Sequence, residues 1–340
     1  MGVSRRGVMA AGIGTAVGAI LFSAAQAGGP IPNSAAGKLR LITYSVPGRV
    51  PRVGVVKGSG RVVDLGTAAR RCGLRLLFDP GSMVSLIAAG ERGLAQARRL
   101  MLEGPDDGPM VSEVWLQSPI SAPTRNIYAV GFNYIDHYKE GQAMRGSSAE
   151  APDRPVFFTK GVGTVNGPYD PIPYDASVST AIDWECELAV IIGRRGKAIA
   201  EADAMAHVYG YTVINDTSAR DIMHKKSGGQ WFMGKSLDGH GPMGPWLVPA
   251  SDLDWRGLHL ETRVNGVVKQ SASTDQMRFS VPRLIADLSR VLTLEPGDII
   301  ATGTPSGIGG ARNPPEFLKP GDVMETEVAE IGLLRNVIGA

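Results

Sequence analysis

The stretch Asp183-Trp184-Glu185-Cys186-Glu187-Leu188-Ala189-Val190-Ile191-Ile192 decides the fold class. An unbroken apolar run headed by acids reads as a strand entering a buried core. Side chains alternate along a strand, so Glu185 and Glu187 share a face about 7 Å apart. Cys186 points to the other face. Two like carboxylates held together repel, and a bound divalent cation removes the conflict. Hard oxygen donors favour Mg²⁺ or Mn²⁺, with Ca²⁺ as a third candidate. An ordinary exposed strand face carries the same Glu-x-Glu pattern, so the pair does not stand alone.

Working outward, a third acid joins it. Residues 208–214 read as a strand ending at Asn215-Asp216, and an acid at a strand end is placed to reach a site. Arg220 and Lys235 follow, suited to hold an anion or a developing oxyanion. Upstream, Gly131-Phe132-Asn133-Tyr134-Ile135-Asp136-His137-Tyr138-Lys139-Glu140 puts His137 and Glu140 at i and i+3 if a helix starts at 134. A carboxylate beside an imidazole can orient a general base, or be a surface ion pair. Ala301-Thr302-Gly303-Thr304-Pro305-Ser306-Gly307-Ile308-Gly309-Gly310 is a Gly-rich loop after a strand. Its N–H groups can bind a carboxylate, and it lacks the Lys-Ser/Thr ending of a nucleotide loop. His207, His224, His240 and His259 lack zinc-pair spacing and read as structural.

Further strands are expected at 126–130, 156–160, 183–192, 246–248, 258–264 and 298–302, with one helix at 280–292. Val264-Asn265-Gly266-Val267 signals a hairpin. Glu295-Pro296-Gly297-Asp298 and Lys319-Pro320-Gly321-Asp322 signal type II turns. Strands outnumber helices and lack βαβ spacing, which disfavours a doubly wound sheet. Residues 38–118 read as a small α/β domain with helices near 66–77 and 82–102. Ser118–Pro123 reads as a linker into a larger domain at 119–340, in which 141–155 reads as a polar loop.

The N-terminus reads as an address. Ser4-Arg5-Arg6-Gly7-Val8-Met9 precedes an uncharged run to Phe22, then Ala25-Gln26-Ala27. That run is short of the ~20 residues a membrane span needs. The three parts match a twin-arginine signal cleaved after Ala27, with 28–37 as a linker; an uncleaved anchor is the alternative. The expected location is periplasmic, with membrane contact only during export.

The 340 residues are 43% hydrophobic and 20% charged, so the chain can bury a core. Lys+Arg number 35 and Asp+Glu 33, a net charge of +2 that argues against a nucleic-acid partner. Cleavage after Ala27 removes Arg5 and Arg6 and no acid, leaving bases and acids equal in number. Two cysteines exclude a disulfide scaffold and a cysteine zinc site.

Over about 125–338 the chain resembles the fumarylacetoacetate hydrolase family. The resemblance rests on the colinear order of the His137…Glu140 segment, Phe157-Phe158-Thr159-Lys160, Asp-Trp-Glu-x-Glu and Asn215-Asp216…Ala219-Arg220-Asp221. It continues through Gln230-Trp231…Gly234-Lys235-Ser236, Val264-Asn265-Gly266 and Thr302-Gly303-Thr304-Pro305. It implies a strand-rich α+β chain: a mixed β-sandwich roll of the family's C-terminal type, behind a small N-terminal α/β domain, and a homodimer. It implies Mg²⁺ or Mn²⁺ on Glu185, Glu187 and Asp216, a water-activating His137/Glu140 pair and a catalytic Lys235. Arg220 and Thr304 match substrate contacts. One departure stands out: the family often has Gln three residues after this Arg, and here the residue is Met223, which cannot donate a hydrogen bond.

The leading expectation is metal-dependent hydrolysis of a C–C bond in an acylpyruvate-like β-diketo acid, giving a carboxylic acid and a 2-oxo acid. A 2-oxo acid decarboxylase, hydratase or hydroxymuconate-type isomerase on the same metal–enolate platform is the alternative. An exported, non-catalytic binder of metal and small carboxylates is the rival from another class.

Overall fold

The structure is a computed structural model and describes residues 37–145, 150–223 and 227–339. The signal read in residues 1–27, most of the linker that follows, residues 146–149 of the polar loop and His224 lie outside these.

Among the described residues, strands dominate. An eleven-stranded mixed sheet runs in the order 62–64, 52–56, 41–45, 241–249, 208–215, 186–192, 299–301, 127–131, 156–160, with 115–117 and 165–166 paired off that path. Most neighbours are antiparallel; 299–301 pairs in parallel with 127–131. A second sheet of four strands runs 267–273, 259–264, 323–328, 332–337. The 38–118 region is joined to the larger sheet by one register, Leu41 opposite Leu247.

The Cys186–Ile192 strand lies near the middle and is buried throughout. Cys186, Leu188, Val190 and Ile192 enter one core with the Val281–Val291 helix and the four-stranded sheet. Ala189 and Ile191 enter the other, with the N-terminal helices. The expected alternation therefore holds, and Cys186 does face away from Glu187.

The expected 183–192 strand is not continuous. Residues Ile182–Asp183 pair with Ser218–Ala219, and Cys186–Ile192 pairs with Val208–Asn215. Both strands lapse at the same level, where Glu185 and Asp216 keep a single main-chain bond, Asp216 N to Glu185 O at 2.9 Å. Side chains satisfy what the ladder does not: Trp184 N donates to Asp183 Oδ1 (2.8 Å) and Glu185 N to Asn215 Oδ1 (3.0 Å).

The N-terminal helices are also shorter than expected: Leu65–Arg71, Met83–Ala88 and Gly90–Glu103. Gly73 (φ +62°) and Gly90 (φ +58°) are left-handed, which ends the first and splits the second. The hairpin at Asn265-Gly266 forms with both residues at positive φ. No helix among the described residues is long and apolar enough to cross a membrane.

Candidate active site

Three ligand-type carboxylates meet where the ladder is interrupted. Oxygens of Glu185, Glu187 and Asp216 lie within 4.8 Å of one another, and all three residues are buried. The Glu-x-Glu pair is therefore not a solvated strand face. Asp183 lies against them through a shared arginine: Arg220 Nε donates to Asp183 Oδ2 (2.7 Å) and Nη2 to Glu185 Oε1 (2.6 Å). Asp183 also accepts from Gly309 N (2.7 Å) and Gly310 N (2.9 Å), which fixes the end of the Gly-rich loop.

Lys235 comes from the short Phe232–Lys235 helix. Its Nζ lies 2.6 Å from both Glu185 Oε2 and Asp216 Oδ2. Lys160, fully buried, approaches Asp216 Oδ1 at 2.7 Å and donates to Lys235 O at 2.5 Å. One ammonium thus fixes a carboxylate and the backbone that carries the next ammonium. The sequence marks Lys160 only within the Phe157–Lys160 motif, as a charged residue closing the Val156–Lys160 strand.

Four buried carboxylates face three buried cations. Burial pushes the Glu185 carboxyl up, but Lys235 and Arg220 outweigh it and hold it well below the usual range. Burial pulls Lys235 down, and Asp216 and Glu185 more than restore it. Lys160 is pulled below its ordinary value by burial. Glu187 lies apart from these pairs. Its Oε2 accepts from Gly303 N at 2.7 Å, and burial with Asp216 and Glu185 beside it drives its carboxyl well above the ordinary range. One negative charge in excess, on an all-oxygen donor set, fits a divalent cation.

His137 lies in the Ile135–Arg145 helix, with Nδ1 3.5 Å from Glu140 Oε2. His137 is 8% exposed, so the pair is no surface ion pair. Glu140 Oε1 accepts from Gly307 N at 2.7 Å, tying the helix to the Gly-rich loop. Phe132 precedes this helix at φ +60°, a strained conformation for a bulky residue. Its ring lies 6.2 Å from that of His137 and edge-on to Trp231 at 5.3 Å. Phe158 meets Trp231 the same way at 5.2 Å.

These groups surround one cleft of about 470 Å³, its mouth included, lined by His137, Glu185, Arg220, Lys235 and Thr304 and by an apolar wall. Thr304 donates to Cys186 O (3.0 Å) and accepts from Gln270 Nε2 (2.8 Å), so its proton is committed within the protein. Gln270 also accepts from Cys186 N (3.0 Å), the peptide between the two glutamates. Nothing in the sequence marked Gln270, since its partners are remote in the chain. His207, His240 and His259 bond elsewhere, to Arg194 O, Asp238 O and Ser271 Oγ.

Residues 126–339 match the model described as fumarylacetoacetate (FAA) hydrolase, C-terminal. The chain belongs to the fumarylacetoacetate hydrolase family. Oxaloacetate tautomerase YisK of Bacillus subtilis (strain 168) is 44% identical over 295 residues, 84% of this chain and 96% of that protein. The fumarylacetoacetate hydrolase of Exiguobacterium antarcticum aligns with a TM-score of 0.72 at 36% identity, covering 89% of this chain and 99% of that one. The maleylpyruvate hydrolase of Sphingobium sp. SYK-6, solved with manganese(II) and pyruvate, aligns at 0.69 and 27% identity, covering 88% and 98%. This family member therefore carries a strand-rich α+β fold and a carboxylate cluster of the divalent-metal type.

Proposed function

We propose that the protein is a divalent-metal enzyme that interconverts the enol and keto forms of a 2-oxo acid. The observation that carries this is a buried imidazole, Nδ1 3.5 Å from Glu140 Oε2, in one cleft with a buried carboxylate–ammonium cluster. The near full-length likeness to an oxaloacetate tautomerase supports it. Glu185, Glu187 and Asp216 would hold Mg²⁺ or Mn²⁺, with Ca²⁺ third. That cation, when bound, supplies Lewis-acid stabilisation of enolate charge.

The chain's own residues do the rest. Arg220 gives Nε to Asp183 and Nη2 to Glu185 and so fixes a ligand while still lining the cleft. Lys235 donates to two carboxylates and keeps one hydrogen for the substrate oxygen on which negative charge grows. Glu140 faces Nδ1 of His137, leaving Nε2 for proton transfer. In the enol-to-keto direction, His137 delivers a proton to C3 while the enol O–H proton is lost to water, which returns it to the imidazole.

C–C hydrolysis of a β-diketo acid is the second reading, favoured by the His137–Glu140 pair, which suits water activation as well as carbon protonation. A metal-supplemented assay with enol-oxaloacetate and acetylpyruvate, products identified by proton NMR, separates the two. Faster ketonisation without new carboxylic acid supports tautomerisation, and acetate plus pyruvate from acetylpyruvate supports hydrolysis. Binding of metal and oxalate with turnover of neither substrate would favour the non-catalytic rival. We also propose export through the twin-arginine route with cleavage after Ala27, checked by N-terminal sequencing of a periplasmic fraction. A homodimer is proposed too, checked by light scattering.

A further inference from the structure

We infer that the pocket around Arg40, beside the Lys57-Gly58-Ser59-Gly60 turn, is a second binding site, for a small oxyanion carrying a phosphate or carboxylate group. None of its lining residues lines the cleft. It lies where the 38–118 region meets the rest of the chain: Lys38 pairs with Glu330, and Arg40 stands over Trp246 of the Gly241–Pro249 strand.

Arg40 immediately precedes the Leu41–Ser45 strand and is 2% exposed. Its Nη2 donates to Lys57 O at 3.0 Å, and its guanidinium carbon lies 5.2 Å from the centre of the Trp246 ring. Nε and Nη1 are buried and have no hydrogen-bond partner among the described residues. No acid among the described residues pairs with Arg40, and the residues outside them contain no aspartate or glutamate. Burial therefore acts alone on this guanidinium and pulls it below its ordinary value. Buried charges are ordinarily paired, because desolvation without a counter-charge is costly. Two more cations share the pocket wall, and each has its own acid. Lys38 has Glu330; Lys57 lies 4.0 Å from Asp106 and donates to Gly104 O at 2.9 Å. Asp106 is the one acid in the wall, 53% exposed at its side chain, and it also accepts from Ser59 Oγ at 3.2 Å. The charge left over is that of Arg40. The pocket encloses about 630 Å³, its mouth included, which admits a phosphate or a short carboxylic acid. An oxyanion there supplies the missing counter-charge and accepts charge-assisted hydrogen bonds.

Inorganic phosphate and malonate are titrated into the full-length protein by calorimetry, in metal-free buffer at constant ionic strength with chloride as the competing salt. Binding of either one, or of both, supports the site and tells which oxyanion it takes; binding of neither overturns it. Arg40→Met keeps the apolar stem and should weaken binding at least ~10-fold, the worth of a charge-assisted hydrogen bond. Arg40→Lys, which keeps the charge, should weaken it less. Lys57→Met alters the same wall at a more exposed position and should weaken binding at least ~3-fold, which keeps the inference testable if Arg40→Met does not fold. Phosphate should also raise the melting temperature of wild type and leave that of folded Arg40→Met unmoved. An anion held in the cleft would not sense Arg40. A dissociation constant unmoved in Arg40→Met, or unmoved in Lys57→Met, therefore overturns the inference.

Discussion

Glu187→Gln should stabilise the metal-stripped protein and abolish its stabilisation by metal. Glu187 is 1% exposed, and its neighbours' ligand oxygens lie within 4.8 Å. At that distance and an effective dielectric of ~20, one like-charge pair costs about 3.5 kcal/mol. Lys160, Arg220 and Lys235 offset the charges on Glu185 and Asp216, and Glu187 can escape the rest by taking up a proton, so roughly 2 kcal/mol of relief remains. For a chain of this length that is a rise of about 3 °C in Tm. The sign with pH follows from the raised carboxyl of Glu187. Folded and unfolded chains are both protonated below the ordinary value near 4.3, so variant and wild type should agree there. As pH rises through the window up to the raised folded value, wild type loses stability and the gap opens. With metal at ~100 times Kd, wild type gains about 2.7 kcal/mol and the variant little. Scanning calorimetry from pH 4 to 8, with chelator or with Mn²⁺, reads all three effects. A variant less stable than wild type without metal at pH 7.5, or one that keeps the metal shift, would refute the reasoning.

His137→Ala should lower turnover by about 10²–10⁴-fold and leave metal affinity within a few-fold, read by kinetics beside calorimetric Mn²⁺ titration; equal losses would remove His137 from proton transfer. Gly303→Ala should weaken metal binding as well as cost about 1–3 kcal/mol. Gly303 has φ +99°, and an added Cβ would lie 2.8 Å from Asn133 Cβ, pulling Gly303 N off Glu187. Unchanged metal affinity in a folded Gly303→Ala protein would count against that loop's role. Asp252 accepts from Leu39 N and pairs with Arg98; burial raises its carboxyl, but these partners hold it below the ordinary range. Its stabilisation is full above about pH 4 and lost as pH falls through the folded value, so urea midpoints of Asp252→Asn and wild type should converge in acid.

The parts of the site that were legible are those fixed by local spacing. Asp216 at a strand end and the i,i+3 relation of His137 and Glu140 needed only the periods of strand and helix, whereas Glu185 meets Glu187 from just outside the Cys186–Ile192 strand. The Asn265-Gly266 hairpin and the 280–292 helix needed only turn and cap chemistry; Ser280 does cap that helix, accepting from Arg283 N. What escaped reading depends on partners far along the chain. The interruption at Trp184-Glu185 exists because Asn215 and Asp183 supply side-chain bonds in place of a ladder. Gln270 acts 84 residues from Cys186. The strands Val323–Val328 and Gly332–Val337 were not anticipated, although the first alternates buried and half-buried residues as a strand facing one core should.

The interruption also explains why this chain places four acids in its core. The main chains still meet there, Asp216 N donating to Glu185 O at 2.9 Å, and the regular ladder lapses on either side of that bond. At that level the carboxylates of Glu185 and Asp216 converge on Glu187, and the cost is met by three buried cations rather than by water. With all four acids ionised those cations leave the cluster one charge negative, so a divalent ion that displaces the Glu187 proton makes it one positive. The chain beyond Ala27 has bases and acids in equal number. If cleavage follows Ala27 as proposed, attraction for a small anion arises inside the cleft, from the loaded cluster and the third hydrogen of Lys235, and not from net charge. Raising ionic strength should then weaken binding of a 2-oxo acid only slightly, because charges enclosed with their ligand are poorly screened.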